Sequence, residues 1–496
     1  MNNSQILMNP NKLAAFLQKE PREFNRKDIL RFIKANNLRR LNFRYVAEDG
    51  HLKTLDFVVN SRRHLDELLS TGERVDGSSL FSFMEQGQSD LYLIPRFRTA
   101  LLNPFQQEPT LELFCSFYTH DGSPLGMATE NILRAADQRF KARTGLDFMA
   151  LGELEYYMIS PADPSALPHR GSGYHLASPF VKWEGLRDKA MELLSEMGVA
   201  IKYAHSEAGC FTEGGFDYEQ HEIEFRPAPA EEAARSIILA KWVLRKLAHQ
   251  QGVRVSFAPK ISPKHAGSGL HVHMQLERGG QNVMLEGGEL SLTARKAVAG
   301  WLDSADLLTA FGNTTPTSYL RLVPGNECPT SICWGDRNRS VLVRVPLGWN
   351  LRHSMIHDAN PFELDDIPDT SGKQTVEIRS GDGSANAHLY MAALIMTALH
   401  GLEMDDQKAL DLLRQHRAEL GTAPVGLPRL PGSCSESARA LLGKRQRLER
   451  DGVFPASTID KQAQHLADHH DEDLAELLAD DPTNLDELVR KHLHCG

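Results

Sequence analysis

Five short segments of this chain place ionisable side chains on one side of an extended backbone. GELEYYMI (152–159) sets Glu153, Glu155 and Tyr157 against Leu154, Tyr156 and Met158. GLHVHMQLE (269–277) sets His271, His273, Gln275 and Glu277 against Leu270, Val272, Met274 and Leu276. HEIEFRP (221–227) carries Glu222 and Glu224 opposite Ile223 and Phe225. SVLVRVP (340–346) holds Arg344 between Val343 and Val345, and TVEIRS (375–380) sets Glu377 and Arg379 against Val376 and Ile378.

Singly, each segment is an amphipathic strand with a wet side. Together they differ from ordinary solvent-facing strands, which favour Thr, Lys, Ser and mixed polar residues. Here the polar slots are nearly all Glu, His and Arg. Converging carboxylates would repel one another and resist ionisation. A hard divalent cation, Mg2+ or Mn2+, resolves that repulsion. Guanidinium groups in the same place point to a polyanionic ligand, most economically a nucleoside triphosphate. The chain has no G-x-x-x-x-G-K-[ST] motif, so no P-loop is expected. The residues alone predict a carboxylate–metal site for phosphoryl transfer.

The elements that position these residues are legible in outline. Residues 13–36 predict a helical lead-in. LNFRYV and LKTLDFVV flank AEDGH, a hairpin turning at Asp49–Gly50. LYLIP and LELFCSFY are two further strands. Helices are expected at 128–142, at 230–251 with Gly252 as a stop, and at 385–403, where Leu389–Leu399 is apolar enough to be buried. The tail beyond 404 is mostly helical, broken by GTAPVGLPRLPG (421–432). DHHDEDLAELLADD (468–481) predicts a solvated helix face rather than a metal site. The expected division is a helical segment at 1–37, a β-rich domain at 38–122, a catalytic domain at 123–403 and a helical region at 404–496.

At 496 residues, 41% hydrophobic and 24% charged, the chain can build a large globular core. A net charge of −10 argues against general nucleic-acid binding, which needs a basic face. No signal pattern and no membrane-length apolar run occurs. The six scattered cysteines indicate neither a zinc site nor a disulfide framework. A cytoplasmic protein with no nucleic-acid or membrane partner is the simplest expectation.

RLVPGNECP (321–329) followed by DRNRSVLVRVP (336–346) resembles the signature of glutamine synthetases of the bacterial type. VDGSS (75–79), GELEYY, QHEIEFRP, GSGLHVH and VEIRSGDGSAN appear in that family's order, and the resemblance spans about residues 38–403. It implies an α+β fold: an N-terminal β-grasp domain, then a catalytic domain whose curved antiparallel sheet forms a half-barrel funnel flanked by helices. It also implies a homododecamer of two stacked hexameric rings, with each active site completed by the neighbouring subunit's N-terminal domain.

Carried over residue by residue, the resemblance assigns Glu155, Glu207 and Glu222 to one divalent metal, and Glu153, His271 and Glu377 to a second that bridges ATP phosphates. His273 would contact nucleotide or the transferring phosphate. Arg321 would grip the substrate α-carboxylate with the backbone around Gly267 assisting. Arg339, Arg344 and Arg379 would stabilise the phosphates and γ-carboxylate. Asp76, with Ser79, would bind ammonium and take its proton, Tyr174 would help form the ammonium pocket, and Glu327 would close the site from a flap. The implied reaction converts glutamate, ammonium and ATP to glutamine through a γ-glutamyl phosphate.

Four features depart from the family pattern. Ala266 stands where asparagine usually precedes the glycine-serine-glycine. Glu207 and Glu222 lie fifteen residues apart, with CFTEGGFDYE between them, a longer segment in which Glu213, Asp217 or Glu219 offer substitute ligands. Arg344 and Glu377 are also widely spaced, and no tyrosine follows Tyr390, so adenylylation of a C-terminal tyrosine is not expected. These departures keep two alternatives open: a γ-glutamyl-amine ligase, and a non-catalytic nucleotide-binding paralogue.

Overall fold

The computed structural model describes residues 9–82, 84, 89–163, 173–262, 264–323, 328–348, 355–366, 370–418, 426–474 and 483–496. In the expected lead-in, two short helices replace one continuous stretch: α1 (Lys12–Leu17) and α2 (Arg26–Ala35). The Asn11 and Asn25 side chains each cap a fresh N-terminus, and Gln18 ends α1 in the left-handed conformation. The hairpin of β1 (Arg40–Val46) and β2 (Leu52–Val58) turns at Asp49–Gly50 as expected. After α3 (Arg62–Thr71) come β3 (Glu73–Asp76), β4 (Asp90–Pro95), β5 (Leu101–Leu102) and β6 (Thr110–Tyr118). The sheet runs β2-β1-β6-β4-β3, with β1 parallel to β6: the β-grasp domain. Leu13, Leu17, Phe32 and Ile33 of the two leading helices enter the same core as Leu41, Phe43, Leu93 and Phe117 of this sheet.

A second sheet begins after α4 (Thr129–Thr144). Its central strand, β7 (Asp147–Pro161), is fifteen residues long. After α5 (Glu184–Glu196), β8 (Ile201–Glu213) and β9 (Phe216–Phe225) form a long hairpin. Short β10 (Ala228–Pro229) leads into α6 (Ala230–Gln250), and β11 (Arg254–Ser256) returns to β7. β12 (Leu270–Arg278) pairs along β7 and carries β13 (Gln281–Asn282) at its end, and β14 (Leu285–Glu286) and β15 (Glu289–Leu290) form a separate small hairpin. Helices α7 (Leu292–Asp303), α8 (Ala305–Gly312) and α9 (Pro316–Arg321) precede β16 (Trp334–Asp336), β17 (Val343–Val345) and β18 (Val376–Ile378). The order is β16-β17-β18-β12-β7-β9-β8, antiparallel except for β16 with β17. This is the curved half-barrel sheet of the expected α+β fold.

The sheet's apolar face, including Leu154, Ile223, Val272, Met274, Val376 and Ile378, packs with α4, α6 and α10 (Ala387–Leu402) in one core. Helix α10 is apolar on nearly every side because nearly every side is buried. It crosses α7 at two facing glycines. A Cβ on Gly401 would press on the Lys296 carbonyl and meet the Gly300 nitrogen at 2.6 Å. The two domains are joined across α6. Arg44 of β1 forms a buried two-pronged pair with Glu112 of β6, at 2.7 and 2.8 Å, and stacks 4.8 Å over the Trp242 ring.

Beyond α10 lie α11 (Asp406–Gln415), α12 (Cys434–Lys444), α13 (Ala456–Ala467) and α14 (Thr483–His492). Of the acidic run at 468–481, for which a solvated helix face is expected, residues 475–481 lie outside the described residues. Residues 468–473 are turn and coil, and Asp471 among them is 4% exposed rather than solvated. That carboxylate accepts the backbone N–H groups of Cys434 and Ser435 and so caps α12. Among the described residues, no helix is long and apolar enough to cross a membrane.

Two outcomes follow from this packing. In an open helix Gly→Ala stabilises by about 1 kcal/mol, but Gly401→Ala will destabilise by about 1–3 kcal/mol through overpacking, read as a lowered thermal midpoint. The second concerns Glu130 on α4, whose Oε1 accepts from the Phe117 N–H while Oε2 is buried without a partner. Burial pushes its carboxyl from an ordinary 4.5 up to about 7, against the lowering effect of the Phe117 N–H. The folded protein therefore holds a proton that the unfolded chain releases. The contribution is full below about pH 4.5 and is lost as pH rises through 7, a swing of roughly 3 kcal/mol. Glu130→Gln will flatten that part of the stability–pH curve in denaturant titrations.

Candidate active site

Strand register gathers the ionisable residues into three rows across the second sheet. One row runs Arg344, Glu377, His273 on β17, β18 and β12. The next runs His271, Glu153, Glu224, Tyr203 on β12, β7, β9 and β8. The third runs Glu155, Glu222, His205 on β7, β9 and β8. Directly opposed residues on neighbouring strands share a face, so register alone makes the rows converge. A slip of one residue would drive these charges into the helix-packed side.

Three overlapping sets of donor atoms each lie within 4.8 Å: Glu153–His273–Glu377, Glu153–Glu222–His271 and His205–Glu207–Glu222. His271 Nδ1 and His273 Nε2 sit 3.1 and 2.9 Å from the two oxygens of Glu153. Arg344 and Arg379 donate to the two oxygens of Glu377 at 2.8 and 2.9 Å. His205 Nε2 is 3.2 Å from Glu222. Lys202 donates to Glu224 at 2.5 Å. Glu155 stands beside the sets, its Oε2 accepting from the Gly269 N–H at 2.7 Å and its Oε1 3.9 Å from His271 Nε2.

The electrostatics fit a cation. Burial opposes ionisation of Glu153, but His273 and His271 outweigh it and hold the carboxyl well below its usual range. Burial likewise opposes protonation of His273, yet Glu153 and Glu377 raise its basicity. Glu222 lacks that relief. Burial, then Glu153, Glu155, Glu207 and Glu224, push its carboxyl well above the ordinary value. The imidazoles of β12 thus stand against one end of the cluster and leave the other short of positive charge. Glu224 Oε2, Arg344 Nε and Arg379 Nη1 are buried without a hydrogen-bond partner. A carboxylate–imidazole donor set with that deficit suits Mg2+ or Mn2+, and the unpartnered guanidinium N–H groups suit an anion beside it.

The other expected residues are placed unequally. Arg321 is buried at the site's edge, where Nη1 donates to the Ser380 and Gly381 carbonyls and Nη2 lies 3.4 Å from His271. Gly267 packs against it so closely that a Cβ would meet Arg321 Cγ at 2.9 Å and the Pro259 carbonyl at 2.5 Å. Tyr174 stacks on His175 at 4.1 Å and meets the His205 ring edge-on at 5.4 Å, at the margin of the cluster. Arg339 is exposed in the turn between β16 and β17. Asp76 and Ser79 lie on the other sheet's β3 end, where Asp76 accepts from Ser78 and Ser79 hydroxyls. The Ser78 hydroxyl first, then Ser89, hold Asp76 down to about 2. Glu327 lies outside the described residues.

The segment from Glu207 to Glu222 is a continuous hairpin, not a loop. β8 and β9 pair through the turn at Gly214–Gly215, with a register shift between Ser206 and Cys210. Such irregularities re-aim side chains, and Glu207 stands at this one. The substitute ligands do not take that role. Glu213 is exposed, Asp217 pairs with Lys182, and Glu219 accepts from the Lys182 and Trp183 backbone. The extension instead carries Phe211, stacked 3.7 Å from His265. The Tyr157 hydroxyl donates to the Ala266 carbonyl at 2.8 Å and Gln220 to the Gly267 carbonyl at 3.0 Å. The loop is therefore held through its backbone, and the missing asparagine side chain at 266 is not what fixes it.

Sequence reading overlooked His205, Lys202 and Tyr203. Their signal was present as alternation of Tyr203, His205 and Glu207 along β8, but it is weak beside the glycine-rich stretch that follows. Glu222→Gln tests the charge deficit. Removing the uncompensated carboxylate will raise the ion-free melting temperature and weaken Mn2+ affinity by ~100-fold or more, read by thermal shift and equilibrium dialysis.

The chain matches the glutamine synthetase catalytic-domain model over residues 127–466 and the glutamine synthetase β-grasp model over 37–120. The glutamine synthetase of Aquifex aeolicus is 28% identical over 428 residues, covering 79% of this chain and 84% of that protein. That of Frankia alni is 28% identical over 474 residues, covering 87% and 93%. Among solved structures, Plasmodium falciparum glutamine synthetase superposes with a TM-score of 0.73 at 19% identity, over 90% of this chain and 96% of that one. A structure described as apo GmaS without ligand gives 0.70 at 20% identity, with the same coverage. The two family domains fall on the two sheets in the same order, and the chain belongs to the glutamine synthetase family.

Proposed function

We propose that this enzyme ligates ammonia to the γ-carboxylate of L-glutamate at the expense of ATP, through a γ-glutamyl phosphate. The observation that carries this reading is the pair of arginines on Glu377. Arg344 and Arg379 reach into a carboxylate–imidazole cluster while each keeps a buried N–H group free. That is the arrangement phosphoryl transfer needs, since its transition state spreads negative charge over the equatorial oxygens. Bound Mg2+ or Mn2+ would be held by Glu153, Glu155, Glu207, Glu222, His271 and Glu377, with His205 and His273 in reach, and would supply charge neutralisation for the phosphates.

The chain's own residues then divide the work. Arg344, Arg379 and His273 stabilise the transferring phosphate, and Arg339 joins them where nucleotide covers its turn. Arg321 and the Gly267 backbone form the rim that receives the substrate's α-carboxylate. Tyr174, stacked at the His205 side, lines the nitrogen pocket. Asp76 and Ser79 serve the active site of a neighbouring subunit in a ring-shaped homo-oligomer. Asp76 stays ionised at neutral pH, so it binds ammonium as a fixed negative charge. Glu327 closes the site against water, which would hydrolyse the acyl phosphate. The setting is the cytoplasm.

The test is phosphate release from ATP and Mg2+ with glutamate, comparing ammonium with a panel of amines. Release with ammonium supports the reading. Release only with an organic amine replaces it with a γ-glutamyl-amine ligase, and absence of release with every acceptor makes the chain a non-catalytic nucleotide-binding paralogue. Arg344→Ala will lower kcat by about 10²–10³-fold, as loss of one transition-state donor does, and an unchanged kcat overturns its assignment.

A further inference from the structure

Away from the sheet, three imidazoles meet on the wall of a cavity of about 590 Å3. His465 is near the end of α13, His469 follows in the turn, and His492 ends α14. The same cavity is lined by Ser79 and Phe81 of the β-grasp domain. The His465 and His469 rings are 5.3 Å apart and inclined at 71°, and the His469 and His492 rings are 5.6 Å apart and inclined at 70°. Two imidazoles on one tetrahedral ion, with metal–nitrogen bonds of about 2.0–2.1 Å, bring their ring centres to about 5 Å. The observed spacings approach that value.

The nitrogen atoms give the independent observation. His469 is hydrogen-bonded to the Thr314 backbone. Its Nε2 is buried with no hydrogen-bond partner. A proton held on Nδ1 toward the Thr314 backbone would leave Nε2 as the lone-pair atom, the usual second-atom arrangement of a metal-binding histidine. His492 is 9% exposed, and its Nε2 is likewise buried without a partner. Buried polar atoms of native proteins nearly always find partners, so two orphaned imidazole nitrogens on one cavity wall call for a ligand.

We propose that His469 and His492, with the exposed His465 rotating to complete the set, form a second metal site for a borderline divalent transition ion of the zinc type. Imidazole-only donors suit Zn2+, Ni2+ or Cu2+, whereas the carboxylate-rich cluster on the sheet suits Mg2+ or Mn2+. The two sites therefore select different ions. Bound there, the ion ties α14 to the end of α13. No cysteine pattern announces the site, because its ligands come from a turn and from a helix that returns to it.

The experiment uses the full chain in millimolar Mg2+, so that the carboxylate cluster is occupied. Zn2+ is titrated against a chromophoric chelator with wild type, His465→Ala, His469→Ala, His492→Ala and the His469→Ala/His492→Ala double variant. The expected result is one more tightly held Zn2+ per wild-type chain than per double-variant chain. Each of the His469 and His492 single variants loses about 100-fold or more in affinity. Zn2+ raises the wild-type melting temperature and leaves that of the double variant unmoved. Equal stoichiometry and affinity in wild type and double variant overturn the proposal. Should the buried variants fail to fold, the exposed His465→Ala decides: a loss of about tenfold or more supports the site, and an unchanged affinity overturns it.

Discussion

Like charges forced together on one face of a sheet are the constraint from which the rest of this molecule follows. Glu153, Glu222, Glu224 and Glu377 are all largely withdrawn from water, and their mutual repulsion is relieved only where a cation stands beside them. His271, His273, Arg344 and Arg379 relieve the β12–β18 side. Lys202 relieves one oxygen of Glu224, and Glu222 is left as the most frustrated group. A cluster of this kind trades stability for a ready-made demand for counter-charge, the demand that a bound cation would meet.

Such a face has to be held by something indifferent to its charge state. The opposite side of the same strands supplies it: Leu154, Val272, Met274, Ile223 and Val376 pack into a continuous core with α4, α6 and α10. The close crossing of α7 over α10 lets that layer be thin and rigid. The strands cannot shift register without exposing this apolar surface, so the spacing of the carboxylates is set by hydrophobic packing on the far side of the backbone. Electrostatics creates the function, and the core enforces the geometry.

Much of this was legible in the sequence because a strand's two-residue period is a hard geometric rule. The segments around Glu153, Glu222, His271, Arg344 and Glu377 alternate cleanly, and each became a strand with its charges facing inward. What escaped had a different physical origin. β8 was hidden because its polar face abuts a glycine-rich stretch, and its partners become visible only once its pairing with β9 is known. The break between the two helices at the start was legible in Pro21 and in the Asn25–Asp28 capping pair, and was passed over in a stretch read as one periodic background. Asp471 sits in a strongly acidic run, and its role as a cap depends on a helix more than thirty residues earlier in the chain, a contact that composition cannot encode.

The stack of Phe211 on His265 has a consequence for how this active site can vary. The loop at 265–269 is steadied by aromatic contact with the β8–β9 extension and by hydrogen bonds from Tyr157 and Gln220 to its carbonyls. Its own side chain at 266 is thereby released from structural duty. The hairpin works as an external splint, which holds the loop without calling on the side chain at 266. The shape of this edge of the site is set by the reach of a hairpin, and not by the side chain at 266.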